Sequence, residues 1–494
     1  MLVLFAWALL LVAWVMGNAP FAAPDEADHY VRAIGISEGH LIGTPDPSAH
    51  LGVTPREIAF TAKEARIVSL PRSLDPVPFT CEIGPGERSA ACLNSADRDP
   101  PPVMRVSSVG DYQPLPYLLP ALAVRAGSSP PSALRLGRAA EALTAFVLLV
   151  VAVFALYDAA SPLVSLLGLL LAVTPMALFC AAILSDSATE IAGALAFFSC
   201  LLRLGRPPPM RARWWVLTAT SGAIFALSRS ASPTWLVLAL LIAVAWSGPK
   251  QFARRWTDGW APRVTAGVLV LAVALNLVWE GFYGTHLSPD ASQLHAGLVA
   301  GVHEWWRALP ELVGKFGYLE VKLPLIIPIA WFGLVLALLA AAGAVADRRE
   351  RVLLTIVVAF GLAGPVVFYA LIIRPTGGGL QGRHVLPILV AVPLLAGEAL
   401  YRHQPRARAV WLRALALAIP PAVALMQMGA WYVNAKRYAV GGSGPEWFLG
   451  RAAWAPPAGW WTWLVAMALG AISLAALSLA APGQEAYGAM GSSS

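Results

Sequence analysis

Charge is scarce in this chain. Asp, Glu, Lys and Arg make up 13% of its 494 residues, against roughly 25% in ordinary soluble domains. That shortfall excludes a soluble globular enzyme and a disordered or fibrous chain. Lysine is scarcer still, with 5 Lys beside 30 Arg in a net charge of +7. The basic residues form no stripe and no aromatic platform accompanies them, so the excess does not point to nucleic acid. The four cysteines include no Cys-x-x-Cys pair, which argues against a thiolate zinc site. Strand-scale alternation is lacking while apolar runs reach about 20 residues, which favours spanning helices over barrel strands.

What is present is apolar. Hydrophobic side chains make up 58% of the chain, with 19 Trp, and the mean hydropathy is +0.65. The pattern predicts an all-α polytopic membrane protein of about twelve transmembrane helices with a large first extracytoplasmic loop. The expected spans lie near 2–17, 138–157, 162–183, 187–203, 214–228, 232–247, 264–280, 325–345, 352–373, 385–401, 414–432 and 460–481. The first lacks a positive n-region and a clear cleavage site, so it reads as a retained anchor (1–17). Residues 18–134 then form an extracytoplasmic region of loops and short helices. Residues 135–481 form the bundle, with outer loops 281–324, 374–384 and 433–459, and 482–494 form a disordered tail.

Four short loops hold clustered cations: Arg203/Arg206/Arg211/Arg213, Lys250/Arg254/Arg255/Arg263, Arg348/Arg349/Arg351 and Arg402/Arg406/Arg408/Arg413. Alternating spans put all four on one side, which the positive-inside tendency makes cytoplasmic. Cys81 and Cys92 fall on the opposite side, where an oxidising compartment would allow a disulfide. Cys180 and Cys200 fall inside spans and read as packing residues.

The outer segments carry the polar motifs. Asp25 follows a proline and opens a helix running to about Gly39, a natural N-cap. Asp25, Asp28 and His29, spaced i, i+3, i+4, can share a face. They form either a solvated juxtamembrane helix or a site that takes a proton from a sugar hydroxyl or holds a divalent cation such as Mg or Mn. Asp111 to Pro120, with Tyr112, Gln113 and Tyr117, is a proline-broken interfacial helix or a wall that seats a lipid or sugar. Asp186 sits in a short polar turn, and Arg229 is a lone outer arginine, solvated or holding a lipid phosphate. Leu294 to Phe316 reads as a surface helix, followed by Gly317-Tyr318-Leu319-Glu320-Val321-Lys322. Gln381, Arg383 and His384 follow three glycines at the tenth span, where Arg383 either snorkels or clamps a phosphate with its planar fork.

In this order, Pro24-Asp25-Glu26-x-x-His29, Tyr112-Gln113-Pro114-x-x-Tyr117, Thr174-Pro175-Met176 with Ser185-Asp186, Gly317-Tyr318-Leu319-Glu320 with Leu323-Pro324, and Gln381-Gly382-Arg383 resemble a bacterial membrane-protein family catalogued as a domain of unknown function, within the GT-C type glycosyltransferases. Two departures are His384, where the family usually has Tyr, and Ala23-Pro24, where it usually has Pro-Pro. The resemblance implies transfer of a sugar from a polyprenyl-phosphate-linked donor to a cell-envelope glycan or glycolipid at the outer face of a bacterial inner membrane. It implies Asp25 as base or metal ligand with Glu26 as partner, and Arg383 then Arg229 on the donor phosphate. His29, Tyr112, Gln113, Tyr117, Asp186, Glu320, Lys322, Gln381 and His384 complete the expected substrate contacts, and Asp25, Asp28 and His29 the expected metal set. A transporter or flippase of a lipid-linked saccharide is the other reading. It would need ionisable groups at mid-depth and repeated halves, of which the sequence offers few and none.

Overall fold

The computed structural model of the protein describes residues 1–49, 51–52, 54–81, 86–95, 103–207, 211–285 and 291–480. The expected tail at 482–494 lies outside the described residues. The chain opens with α1 (Leu2–Gly17), an apolar helix with no polar face that is buried against its neighbours. Next come α2 (Glu26–Ser37), β1 (Thr44–Pro45), α3 (Pro55–Glu64), β2 (Arg66–Leu70), β3 (Val103–Ser107) and α4 (Leu115–Val124). The strands pair antiparallel in the order β1-β2-β3, with Ile67 opposite Val106 and Val68 opposite Arg105.

This sheet corrects the expectation of an all-α chain with only loops and short helices over 18–134. In β2 the side chains alternate, with Arg66, Val68 and Leu70 turned inward. The inner face of β2 packs with Tyr30, Val31 and Ile34 of α2 and with Phe79 and Tyr117 as a small apolar core of its own. Cys81 and Cys92 are disulfide-bonded in this region.

The bundle begins with α5 (Pro130–Leu156), followed by α6 (Leu167–Ala172), α7 (Pro175–Ala181), α8 (Asp186–Gly205), α9 (Ala212–Ala226), α10 (Ser232–Ser247), α11 (Pro249–Thr257) and α12 (Trp260–Tyr283). It continues with α13 (Leu294–Ala308), β4 (Lys315–Phe316), β5 (Val321–Lys322), α14 (Ile326–Val345), α15 (Arg348–Phe368) and α16 (Arg374–Thr376). The last helices are α17 (Gly382–Leu389), α18 (Ala391–Arg402), α19 (Ala409–Val440) and α20 (Gly459–Ala475).

The chain is predominantly helical and crosses the membrane several times. Among the described residues, eight helices are long and apolar enough to span alone, or up to ten if each of two bent pairs is one span. All twelve expected segments are helical over most of their length. However, α1 has 16 residues and α9 has 15, so a helix of either length, at 1.5 Å per residue, falls short of a hydrocarbon layer of about 30 Å. The expected span 162–183 is broken, because Pro175 cannot continue α6 and the axis turns by 66° into α7. Thr174 caps the new helix by accepting from Ala177 N–H.

α8 lies at the centre and is buried over most of its length. Its small residues allow neighbours to approach closely, as where a side chain at Gly193 would meet the backbone of Phe225 at 3.1 Å. α5, α9, α10 and α17 pack around it, while α12, α14, α15 and α20 present mostly outward faces. At the end with the Arg-rich turns, Glu398 is held by Arg206 at 2.7 Å and Arg402 at 2.8 Å. At the other end the starts of α2, α8, α10 and α17 gather beneath the small sheet.

Candidate active site

At that second end lies a cavity of about 440 Å³. Its walls come from distant parts of the sequence: Asp25 before α2, the β3–α4 linker, the start of α8, the α9–α10 turn, the end of α12 and residues 368–384. Seven carboxylates line it (Asp25, Glu57, Glu64, Asp111, Asp186, Glu190 and Glu280), with the guanidinium groups of Arg229 and Arg383. A π-helical turn, Tyr369–Ile373, between Pro365 and Pro375, widens one wall.

Arg229 is placed by the helices around it. Asn276 of α12 donates to the carbonyls of Ala226 at 2.8 Å and Arg229 at 2.9 Å, which fixes the α9–α10 turn. The guanidinium then meets Asp186 at 3.0 Å through Nε and Glu190 at 3.6 Å through Nη1. Ser232 donates to the other Glu190 oxygen at 2.8 Å. Burial opposes the charge on Arg229, but Asp186 and Glu190 outweigh it and hold the guanidinium above its ordinary pKa. Arg229 is therefore a cation held in place by two carboxylates.

Asp25 and Arg383 converge. Arg383 Nη2 lies 3.6 Å from Asp25 Oδ2, while its Nε donates to Gln381 Oε1 at 2.7 Å. The Asp25 side chain is 41% exposed and that of Arg383 only 6%, so the acid faces open space and the cation backs it. Asp25 occupies the N-cap position, but its side chain caps nothing. Its backbone is left-handed, with φ 58°, a conformation uncommon for a non-glycine residue and concentrated at functional sites. Tyr318 donates to Asp25 Oδ1 at 3.4 Å. Gly382 is required where it stands, because a Cβ there would lie 2.6 Å from the Glu311 backbone. Its N–H donates to Glu311 Oε2 at 3.2 Å.

Asp25, Tyr112, Gln113, Asp186, Arg229, Gln381, Arg383 and His384 all line the cavity. Other expected residues do not. Glu26, expected beside Asp25 in the chemistry, turns away and forms a fully buried two-pronged pair with Arg138 at 2.7 and 2.5 Å. It also accepts from Leu184 N–H. The physical reason is local: Asp25 is left-handed and stands outside α2 while Glu26 is its first residue, so the two side chains leave the chain in different directions and Arg138 of α5 claims Glu26. His29 and Tyr117 form a buried hydrogen bond of 2.6 Å that joins α2 to α4 behind the cavity wall. Burial holds His29 below its ordinary pKa. Glu320 pairs with Arg437 at 3.2 Å, and Lys322 is exposed on β5. Neither lines the cavity.

The expected metal set does not assemble. Asp28 accepts from Ser108 at 2.5 Å and His29 faces Tyr117, so the ligand atoms of Asp25, Asp28 and His29 do not meet as one group. Burial pushes the Asp28 carboxyl up to about 7. Among the described residues, Asp347, Glu350 and His403 bring ligand atoms within 4.8 Å of one another. They lie at the far end of α14, where Arg406 donates to Asp347 at 2.7 Å and contacts His403 Nδ1 at 3.1 Å.

Glu190, Glu64, Asp111 and Glu280 were not singled out from the sequence as site residues. Glu190 had a signal, because an ionisable residue one turn inside an apolar segment is a functional candidate by default. Asp111 is 3% exposed and 3.9 Å from Arg66. Burial pushes its carboxyl up to about 7 against the pull of Arg66. Glu64 is also raised well above its ordinary range, by burial and then by Asp111 and Glu280.

A family model described as "Predicted membrane protein (DUF2142)" matches residues 8–392. No curated protein matches significantly. Among solved structures, ArnT from Cupriavidus metallidurans in the apo state is similar at 14% identity, over 96% of this chain and 75% of that one, with a TM-score of 0.44. The same protein bound to undecaprenyl phosphate is similar at 14% identity, over 98% and 78%, with a TM-score of 0.48.

Proposed function

The chain belongs to the DUF2142 family of predicted membrane proteins, and from its cavity we propose that it is a membrane glycosyltransferase using a polyprenyl-phosphate-linked sugar donor. The observation that carries this reading is the meeting of Asp25 and Arg383 at 3.6 Å in one cavity at a bundle end. The clustered cations of the opposite end support an extracytoplasmic site in a bacterial inner membrane. The acceptor on this reading is a glycan or glycolipid of the cell envelope.

The chemistry follows from the placement. A polyprenyl phosphate keeps its tail in the bilayer and its phosphate at headgroup depth, where Arg229 and Arg383 stand. The acceptor hydroxyl oxygen attacks the anomeric carbon, and its proton passes to Asp25. The bond from that carbon to the phosphate oxygen breaks, and its electron pair stays on the phosphate. Negative charge therefore grows on the phosphate during the reaction, and a fixed guanidinium stabilises it more in the transition state than before. Glu26 has no part in these steps. Its pairing with Arg138 makes it a positioning residue for the segment that carries Asp25.

Transport of a lipid-linked saccharide is the second reading, favoured by buried Glu141 and Glu190 on α5 and α8. Glu190 lies near the outer end of its helix and faces Arg229, which suits the transferase better. The test is Asp25→Asn in reconstituted protein supplied with prenyl-phosphate sugars. The variant is expected to fold and to lose transfer by the roughly 100- to 10,000-fold that a positioned base supplies. Full transfer by the variant would remove Asp25 from the mechanism. Movement of labelled lipid between leaflets with no new glycosidic bond would favour transport.

A further inference from the structure

A second concavity, of about 460 Å³, opens between α9 and α12 on the outer face of the bundle. Its walls are apolar: Trp215, Ala219, Ala223 and Leu227 on α9, and Trp260 and Val268 on α12. From Trp215 to Leu227 it runs about 18 Å along the helix at 1.5 Å per residue, more than half of a hydrocarbon layer. Leu115 and Leu227 line its upper end. These lie two residues from Gln113 and from Arg229, both of which line the polar cavity. The two helices that form the groove also supply the charged edge above it, α9 through the Arg229 turn and α12 through Glu280. Asn276 ties them together at that point.

We infer that the α9–α12 groove seats the isoprenoid tail of the lipid phosphate whose head is held at Arg229. This rests on the donor class proposed above and adds where the tail lies and which residues sense its length. The occupant is fixed by what stands at each end. The guanidinium groups of Arg229 and Arg383 in the cavity above favour an anionic head, and the long apolar groove below favours a linear apolar chain. A larger groove of about 620 Å³ between α1 and α5 has its own arginine, Arg135. None of its residues lies within two positions of a cavity residue, so a lipid there would not deliver its head to the site. Short chains would occupy only the part of the α9–α12 groove near Leu227, and long ones would reach Trp215 and Trp260.

The test is binding of undecaprenyl phosphate and of a two-isoprene prenyl phosphate to the full chain in nanodiscs. Thr220→Trp and Val216→Trp would fill the part of the groove remote from Leu227. Thr220 is exposed, so its variant guards against loss of folding, which thermal unfolding checks. Both variants are expected to weaken the long-chain ligand at least tenfold and leave the short one unchanged. Leu136→Trp in the α1–α5 groove is expected to change neither. Long-chain binding unaltered by both groove variants would overturn the inference while sparing the donor assignment. So would equal competition by dipalmitoyl phosphatidic acid. Failure of the unaltered protein to bind either prenyl phosphate would instead sink the donor assignment itself.

Discussion

The pair formed by Glu26 and Arg138 allows a sharp test, because the two side chains are fully buried and nothing around them can replace either. Glu26 Oε1 accepts from Arg138 Nε at 2.7 Å and from Leu184 N–H at 3.0 Å, and Oε2 accepts from Arg138 Nη2 at 2.5 Å. Arg138 also donates to the carbonyls of Asn18 and Ala19 at 2.9 and 2.8 Å. Glu26→Ala leaves one buried guanidinium without its counter-charge, a change that costs about 3–5 kcal/mol, and the Leu184 N–H without its acceptor, about 1–3 kcal/mol more. Arg138→Ala leaves a buried carboxylate and the buried carbonyl of Asn18, the latter adding about 1–3 kcal/mol, while the Ala19 carbonyl keeps only a long bond from Ala22 N–H at 3.4 Å and the lost side chain leaves a void. The arginine variant should therefore be the less stable of the two. Replacing both by Met removes the charges together and should cost less than the sum of the single changes. Unfolding in detergent measures the stabilities, and transfer per folded molecule separates folding from chemistry. A Glu26→Ala protein of undiminished stability with no transfer would refute the structural role and return Glu26 to the reaction.

Three further outcomes follow from the geometry. Arg229→Lys keeps a charge but cannot face Asp186 and Glu190 with separate nitrogens, so it should raise the apparent KM for the prenyl-phosphate sugar severalfold, and unaltered kinetics would remove Arg229 from the donor site. Asn276→Ala frees the carbonyl of Ala226, while that of Arg229 keeps the Ser232 N–H, and should cost about 1–3 kcal/mol, with a larger KM effect than any exposed alanine change on α12. The Asp28 carboxyl is raised from 3.8 to about 7 in the folded protein, so the folded state holds the extra proton between those values and stability falls as pH rises from about 4 to 7. Asp28→Asn should flatten that slope, by about 4 kcal/mol at most across the window, and parallel melting curves for the two proteins would contradict it.

The sequence disclosed the helices because an apolar run of spanning length has few other uses. It disclosed Asp25, Arg229 and Arg383 because charge at the ends of such runs is conspicuous. Destinations were harder to read. Asp25 and Glu26 are adjacent, yet one faces the cavity and the other is locked under it, and only the packing of α5 against α1 decides this. Glu320 and Lys322 sit in a polar motif that resembles a site, but Arg437, remote in the chain, claims Glu320. The small sheet was overlooked because Arg66-Ile67-Val68-Ser69-Leu70 and Val103-Met104-Arg105-Val106-Ser107 do not alternate strictly, and two five-residue strands give a faint signal beside runs of twenty apolar residues. The break at Pro175 was visible as a residue, but its 66° angle depends on the Val313 carbonyl that receives Met176 N–H.

The cavity draws one reactive group from residue 25 and its guanidinium partner from residue 383. During synthesis, the acid is made well before its companion, with most of the bundle between them. A chain interrupted anywhere between them would insert helices into the bilayer yet hold only half of the constellation. Such a fragment would lack the charge pair on which the proposed transfer rests.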